Sequence, residues 1–127
     1  LHKKITENTI VFLDEPTIGL DNESKKNLIQ MIRKLKMRLN KTIIVISHDI
    51  ELVHTISDHI VVLDNGDIIT QGDKYYVFKQ EELLNQYGLK VPKIIEFSNL
   101  VYNRKGIKIG YRDEMNDLIK DIYRYVK

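Results

Sequence analysis

An apolar, β-branched run that ends on two adjacent acids constrains this chain more than any other feature. The segment TIVFLDEPTIGLD spans residues 9–21 and places Asp14 and Glu15 directly after five residues suited to a strand. Because these five residues are apolar or β-branched without alternation, residues 9–13 are predicted to form a strand buried on both faces. Unpaired charge at the boundary of a core is costly. The acid pair therefore indicates a site that holds a cation or a reactive group.

Asp14 and Glu15 can have separate roles, because consecutive residues of a strand point in opposite directions. One carboxylate can hold Mg²⁺, usually through water, while the next acts as a general base towards a water aimed at a phosphate. The simpler interpretation is a capped strand end whose acids pair with lysines or backbone amides. The apolar run and the turn closed by Asp21 favour the catalytic interpretation. Asp21 can also cap the following helix, and the two roles are compatible.

Length and composition limit the remaining possibilities. A chain of 127 residues can build one core with a small appendage, but not two full domains. The net charge of +2 does not predict a polyanionic partner, and leucines at helical spacing within the basic residues 33–41 indicate a solvated helix face. With 0 Cys, a disulfide framework and a thiolate metal site are excluded. No apolar run reaches the roughly 20 residues of a membrane span, so we expect any membrane association to require a partner.

Strand and helix patterns alternate over the first part of the chain. The spacing predicts a helix over residues 22–39, capped by Asp21 or Asn22, and a second buried strand over residues 42–46. A short helix follows from Ser47-His48-Asp49. This order implies parallel strands with right-handed crossovers. His48 would then lie at the same sheet edge as the acid pair and could reach a terminal phosphate, although a histidine at such a junction can equally be structural.

The rest of the chain has a different pattern. Asn65-Gly66 between two apolar runs predicts a hairpin with a type I′ turn, at an antiparallel edge of the sheet. Residues 75–87 are predicted to be helical, in one or two pieces that end at Gly88. Val91-Pro92 marks a boundary, after which helices are predicted over residues 93–102 and 112–126. Apolar residues on one face of the last helix favour self-association.

Four segments together resemble the C-terminal half of an ABC-type ATPase nucleotide-binding domain. They follow the family's order and spacing, and the resemblance covers residues 9–72, with Asn22 standing where many relatives have proline after the D-loop. The four segments are residues 10–15 (the Walker B strand with its catalytic glutamate), 16–21 (the D-loop), 43–49 (the switch-histidine strand) and 57–68 (the closing hairpin). The resemblance implies an α/β fold, the C-terminal portion of a P-loop NTPase domain with parallel strands, an antiparallel edge hairpin and a helical extension.

The segment from Gly72 to Pro92 is similar to the tail of the ATPases of energy-coupling-factor (ECF) importers. These ATPases power the uptake of vitamins or transition-metal ions and carry a small helical C-terminal extension involved in ATPase pairing. The resemblance implies a nucleotide-binding part over residues 1–91 and a dimerisation element over residues 92–127. The implied partners are a second ATPase subunit (homo- or heterodimer), a transmembrane coupling subunit and a substrate-binding membrane subunit, with no nucleic acid. The implied location is the cytoplasmic face of the cell membrane, through those subunits.

The resemblance also implies a role for each candidate site residue in the intact protein, with ATP as substrate and Mg²⁺ as cofactor. Asp14 would help to hold Mg²⁺, through water, and Glu15 would polarise the attacking water. His48 would contact the γ-phosphate and share in catalysis. Asp21 would act across the ATPase dimer.

The phosphate-binding loop G-x-x-x-x-G-K-[ST] and the glycine-rich signature motif are absent from the sequence. Without that loop, no backbone nest and no lysine holds the β- and γ-phosphates. We therefore expect this chain to be a fragment of a longer ATPase, with no bound cofactor and no activity alone. Three alternatives stay open: another ABC transporter ATPase, a head-domain lobe of a chromosome-maintenance or DNA-repair ATPase, and a non-enzymatic dimerisation module.

Overall fold

The computed structural model describes residues 9–107, 109–110 and 112–125. The chain divides into two compact units, Leu1–Ile56 and Ser57–Lys127. The domain boundary predicted between residues 91 and 92 stays a prediction. The predicted α/β class is confirmed, since the first unit contains a parallel strand pair and the second an antiparallel hairpin followed by helices.

The first unit is built on two parallel strands. β1 (Ile10–Asp14) pairs with β2 (Thr42–Ile46) in register, from Ile10 opposite Thr42 to Asp14 opposite Ile46. β2 has the predicted bounds, whereas β1 begins and ends one residue later than predicted. Because the strands are parallel and in register, both end at the same edge of the sheet, and the chain segments that follow them begin side by side.

The prediction that both strands are buried on both faces is wrong for the described structure. Ile10, Phe12, Ile44 and Ile46 are 53%, 66%, 39% and 54% exposed, and the residues between them are half-buried. This alternation means that the unit covers one face of its sheet and leaves the other face open. Among the described strands, β1 and β2 pair only with each other, so the first sheet has two strands.

Two helices accompany these strands. Helix α1 (Asn22–Met37) begins after Asp21, which supplies the N-cap, so the sequence alternative of Asn22 as the cap is wrong. The helix ends two residues before the predicted residue 39, and the chain reverses through Asn40, whose φ of 50° is positive. Helix α2 (Ile50–Ile56) follows Ser47-His48-Asp49 as predicted. One apolar side chain from each helix, Ile32 and Leu52, is buried, and α2 also buries His54.

The second unit begins with the predicted hairpin. β3 (His59–Asp64) and β4 (Asp67–Asp73) pair antiparallel, with an irregularity in register between Val62 and Leu63. Asn65 and Gly66 have φ values of 48° and 83°. Two consecutive positive φ values are the requirement of a type I′ turn, which explains why Asn-Gly occupies this position.

Four helices complete the second unit. They are α3 (Lys74–Phe78), α4 (Glu81–Gln86), α5 (Lys93–Lys105) and α6 (Met115–Tyr125). The helix predicted over residues 75–87 is therefore in two pieces, and the predicted end of the last helix at Val126 lies outside the described residues. The buried apolar side chains among the described residues of this unit are Ile60, Val77, Phe78, Leu84, Val91, Pro92, Ile94, Ile95 and Leu118. In the described part of the chain, none of the helices has the length and apolar character needed to cross a membrane.

Candidate functional site

The carboxyl ends of β1 and β2 bring Glu15 and His48 together. The Glu15 backbone N–H donates to the carbonyl oxygen of Ile46 at 2.7 Å, so the pairing of the strands continues one residue beyond Asp14. One carboxylate oxygen of Glu15 (Oε2) accepts a hydrogen bond from the His48 backbone N–H at 3.4 Å. The other (Oε1) lies 3.5 Å from His48 Nε2. The proximity predicted from parallel strand order is therefore present.

The two side chains differ strongly in exposure. The His48 side chain is 92% exposed, whereas the Glu15 side chain is 23% exposed. The imidazole is therefore accessible to a ligand, while the carboxylate lies closer to the sheet edge. A carboxylate held by a backbone N–H can accept a proton from a bound water. An accessible imidazole beside it can donate a hydrogen bond to an anionic oxygen.

The backbone of Glu15 is left-handed, with φ of 47°. This conformation is uncommon for residues other than glycine, asparagine and aspartate. It costs on the order of 1–3 kcal/mol and persists only where the surrounding structure fixes it, which is a frequent property of functional sites. Here the Glu15 N–H bond to Ile46 and the bond from the His48 N–H to the Glu15 carboxylate provide that fixation.

Asp14 is the last residue of β1 and its side chain is exposed. Magnesium is usually held by one or two carboxylates, several waters and the phosphates of the substrate, so one exposed carboxylate beside Glu15 fits that ion. Among the residues that the structure describes, no group of three or more His, Cys, Asp and Glu side chains could hold a metal ion.

Asp21 has a different environment from the other candidates. Its Oδ1 accepts a hydrogen bond from the Ser24 backbone N–H at 2.7 Å at the start of α1. The hydrogen bonds from the Ser24 backbone and side chain lower the pKa of the Asp21 carboxyl. The contact between Glu15 and His48 does not include Asp21. The structure thus gives Asp21 the capping role predicted for it, and its role across a dimer stays a prediction.

Asp49 is a polar centre that the sequence analysis missed. Its Oδ2 lies 2.7 Å from Lys25 Nζ, its Oδ1 accepts from the Leu52 backbone N–H at 3.1 Å, and the Thr17 side chain also hydrogen-bonds to its carboxylate. Its backbone N–H donates to Ser47 Oγ at 2.9 Å. The Asp-before-helix pattern could have indicated the cap on α2. No sequence pattern indicated Lys25 or Thr17, which lie 24 and 32 residues away in the chain.

These contacts determine the ionisation of Asp49. Burial raises the pKa of its carboxyl, but the hydrogen bonds from Lys25, Leu52 and Thr17, together with the charge of Lys25, outweigh burial and lower the pKa overall. A carboxylate so placed stays ionised at neutral pH. The ionised carboxylate can therefore accept hydrogen bonds from three segments of the first unit at once.

No family model matches the chain. It is 33% identical over 108 residues to the energy-coupling factor transporter ATP-binding protein EcfA2 of Staphylococcus epidermidis, which covers 83% of this chain and 38% of that protein. It is 39% identical over 104 residues to EcfA2 of Clostridium perfringens, covering 82% of this chain and 36% of that protein. The chain thus spans little more than a third of the length of these two curated relatives.

A solved structure is also similar. The structure of cbiO1 from Clostridium perfringens, described as part of the ABC transporter complex cbiONQ, matches with a TM-score of 0.52 and 31% identity, over 71% of this chain and 36% of that chain. The parallel strand pair, the antiparallel hairpin and the helical end agree with the P-loop NTPase fold of such an ABC ATPase. The chain therefore corresponds to the C-terminal part of an ABC transporter ATP-binding protein, similar to the ATP-binding proteins of ECF transporters.

Proposed function

We propose that this chain supplies the water-activating half of an ATP hydrolysis site in an ATPase subunit of an ECF importer. ATP hydrolysis there would power the uptake of a micronutrient, a vitamin or a transition-metal ion. The observation that carries the proposal is the pairing of Glu15 with His48 at the carboxyl ends of two parallel strands. In open α/β sheets, ligands bind at this edge.

Each site residue has a distinct task in this proposal. Glu15 is the general base, because its carboxylate is held by the His48 backbone N–H and can accept a proton from an attacking water. The exposed imidazole of His48 donates to an oxygen of the γ-phosphate. Asp14 holds Mg²⁺ through water, and the ion, when bound, neutralises charge on the phosphates. Asp21 acts across the interface between two ATPase subunits.

The proposal assigns residues 1–91 to the nucleotide-binding part and residues 92–127 to a dimerisation element. The support for the second assignment is the outer face of α6, where Met115, Ile119 and Tyr123 recur every fourth residue and are 39%, 38% and 70% exposed. The proposed partners are a second ATPase subunit, a transmembrane coupling subunit and a substrate-binding membrane subunit. Their membrane positions would place the protein at the cytoplasmic face of the cell membrane.

The chain by itself is proposed to be inactive. Its sequence contains no phosphate-binding loop, so the residues above have no partner within the chain that fixes the β- and γ-phosphates. We expect no ATP hydrolysis by the 127-residue chain and, at best, very weak nucleotide binding. Phosphate release by the chain at a rate above that of its Glu15→Gln variant would contradict this expectation.

The central test uses the full-length ATPase assembled with its partner subunits. Glu15→Gln should lower kcat by about 10²- to 10⁴-fold, because a positioned general base is lost, while ATP still binds. Glu23→Gln is the matched control, since it makes the same chemical change at an exposed carboxylate in the first turn of α1. Steady-state phosphate release and equilibrium ATP binding are the measurements. Wild-type turnover by Glu15→Gln would overturn the proposed function.

The dimerisation element has a separate test. Sedimentation velocity should show self-association of the chain that disappears when it is truncated after Pro92, because the truncation removes the exposed stripe on α6. A monomer both with and without the last helices would contradict this part of the proposal.

A further inference from the structure

The segment between Glu15 and Asp21 is anchored at a single buried side chain. Thr17 is 7% exposed, whereas the residues from Ile18 to Asp21 are all exposed. The Thr17 side chain hydrogen-bonds to the carboxylate of Asp49. Within the segment, the Leu20 N–H donates to the Thr17 carbonyl oxygen at 3.1 Å. The Thr17 side chain is the buried contact that ties the segment to Asp49.

Asp49 connects this segment with two other parts of the first unit. Lys25, in the second turn of α1, lies 2.7 Å from Asp49 Oδ2, and the two side chains are 39% and 19% exposed. The Leu52 backbone N–H donates to Asp49 Oδ1 at 3.1 Å and holds the start of α2. One carboxylate thus joins the Glu15–Asp21 segment, α1 and α2.

Asp49 is also the chain neighbour of His48. Its own N–H donates to Ser47 Oγ at 2.9 Å, so the peptide groups on either side of His48 are constrained. The His48 N–H, which donates to Glu15 Oε2 at 3.4 Å, belongs to the adjoining peptide group. A rotation of the backbone at Asp49 would therefore change the distance between His48 and Glu15.

We infer that Asp49 is a positioning residue for the proposed hydrolysis, which holds His48 against Glu15 by anchoring Thr17, Lys25 and the start of α2 to one carboxylate. This inference rests on the proposed function for its chemistry, but its geometry is independent of ATP. Asp49 touches neither the substrate nor the metal in this account. Its effect is transmitted through the segment from Thr17 to Glu15 and through the backbone of His48.

The variants that separate positioning from folding are conservative. Thr17→Val keeps the shape of the side chain and removes only the hydroxyl that bonds to Asp49, and Thr17→Ser restores that hydroxyl. Lys25→Met keeps a long apolar stem and removes the ammonium group. Lys26→Met is the matched control for Lys25, because Lys26 is the neighbouring lysine of α1 and is exposed.

The first experiment is NMR spectroscopy of the chain without nucleotide. Thr17→Val and Lys25→Met should shift the backbone amide signals of both Glu15 and His48, and Thr17→Ser should return them to the wild-type positions. The amide signals of Val11 and Ile43 within the strands should stay unchanged. Signal changes confined to residues 16–18 in Thr17→Val would overturn the inference, because Asp49 would then only cap α2.

The second experiment measures steady-state kinetics in the full-length ATPase. Thr17→Val should lower kcat by about 3- to 10-fold with the KM for ATP unchanged, since losing one hydrogen bond to a charged group misplaces the base without removing it. Thr17→Ser should recover the wild-type kcat, and Lys26→Met should not differ from it. A lower melting temperature with wild-type kcat would overturn the inference and indicate a purely structural bond.

The two hypotheses fail in different ways. If Glu15→Gln is inactive while Thr17→Val and Lys25→Met have wild-type kcat, the proposed function stands and the positioning role is overturned. If Glu15→Gln has wild-type turnover, the proposed function is overturned, and with it the positioning role for that reaction.

Discussion

Each of the two units of the molecule is stabilised internally by a different kind of contact. Of the eleven buried apolar side chains among the described residues, nine lie in Ser57–Lys127 and two, Ile32 and Leu52, lie in Leu1–Ile56. The first unit instead contains the ion pair and hydrogen bonds of Asp49, the contact between Glu15 and His48, and an exposed apolar sheet face. The reactive groups therefore lie in the unit with the smaller apolar core.

This difference has a physical reason. Apolar burial is the dominant favourable term in folding but has no direction, whereas hydrogen bonds and ion pairs fix distances and angles. A site that must hold a base and an imidazole at defined positions depends on the second kind of contact. Elements with few buried apolar contacts also open more readily. We expect the second unit to resist unfolding more strongly and the first to respond more strongly to loss of polar groups.

The largest effect should come from a core substitution in the second unit. Ile95 is 0% exposed, so Ile95→Ala should lower the free energy of unfolding by about 2–5 kcal/mol through lost burial and a cavity. Phe12 is 66% exposed, so Phe12→Ala in the first unit should cost no more than about 1 kcal/mol. Urea unfolding, followed by amide signals of each unit, measures both.

Ile95→Val keeps the comparison testable if the alanine variant does not fold. Removing one buried methylene should lower the free energy of unfolding by about 0.5–1.5 kcal/mol. The amide signals of β1 should not change. An equal or larger loss from Phe12→Ala would show that the first unit depends on its exposed sheet face for stability, and the contrast between the units would fail.

A smaller effect is expected at the polar centre of the first unit. Asp49→Asn should lower the free energy of unfolding by about 1–3 kcal/mol at neutral pH, because the substitution removes the charged hydrogen-bond acceptor that pairs with Lys25. Burial raises the pKa of Asp49, but the bonds from Lys25, Leu52 and Thr17 and the charge of Lys25 outweigh burial and hold the pKa below its ordinary 3.8. The ionised carboxylate therefore adds stability above pH 3.8, and that contribution is lost as the pH falls through the folded-state pKa.

Unfolding measured across pH distinguishes this effect from general acid sensitivity. The difference in stability between the wild type and Asp49→Asn should narrow below pH 3.8. Asp67→Asn, at the exposed start of β4, provides the control from the second unit. A constant difference at every pH would show that the charge of Asp49 contributes nothing to the first unit.

The smallest effect concerns a polar contact in the second unit. The Tyr75 hydroxyl donates to Asp113 Oδ1 at 2.6 Å, and this bond, with burial and the charge of Asp113, raises the pKa of Tyr75 from 10.0 to about 12. Asp113→Asn should return the pKa towards 10.0. The stability that the bond adds is present below pH 10.0 and is lost as the pH rises through about 12.

Ultraviolet difference absorbance of tyrosinate, with Tyr75→Phe as the reference, measures this titration. Asp117→Asn serves as the control, because it removes a carboxylate in the first turn of α6 without changing the contact to Tyr75. An unchanged titration in Asp113→Asn would show that this bond does not hold in solution.

Local sequence patterns predicted most of the elements in both units. β2 was predicted with its observed bounds because residues 42–46 are continuously β-branched or apolar, and the Asn65-Gly66 turn because two positive φ values select that dipeptide. Strand exposure could not be predicted, because it depends on which elements cover each face. The cluster around Asp49 was missed for a related reason, since its bonds to Lys25 and Thr17 join residues that only the fold brings together.

The left-handed backbone of Glu15 lowers the stability of the fold at the position of the proposed general base. Its φ of 47° suits asparagine or glycine better than glutamate. Glu15→Asn should therefore fold at least as stably as the wild type while lacking the base, whereas Pro at the same position is incompatible with a positive φ. In the proposed function, this cost in stability accompanies the placement of the general base at the end of β1.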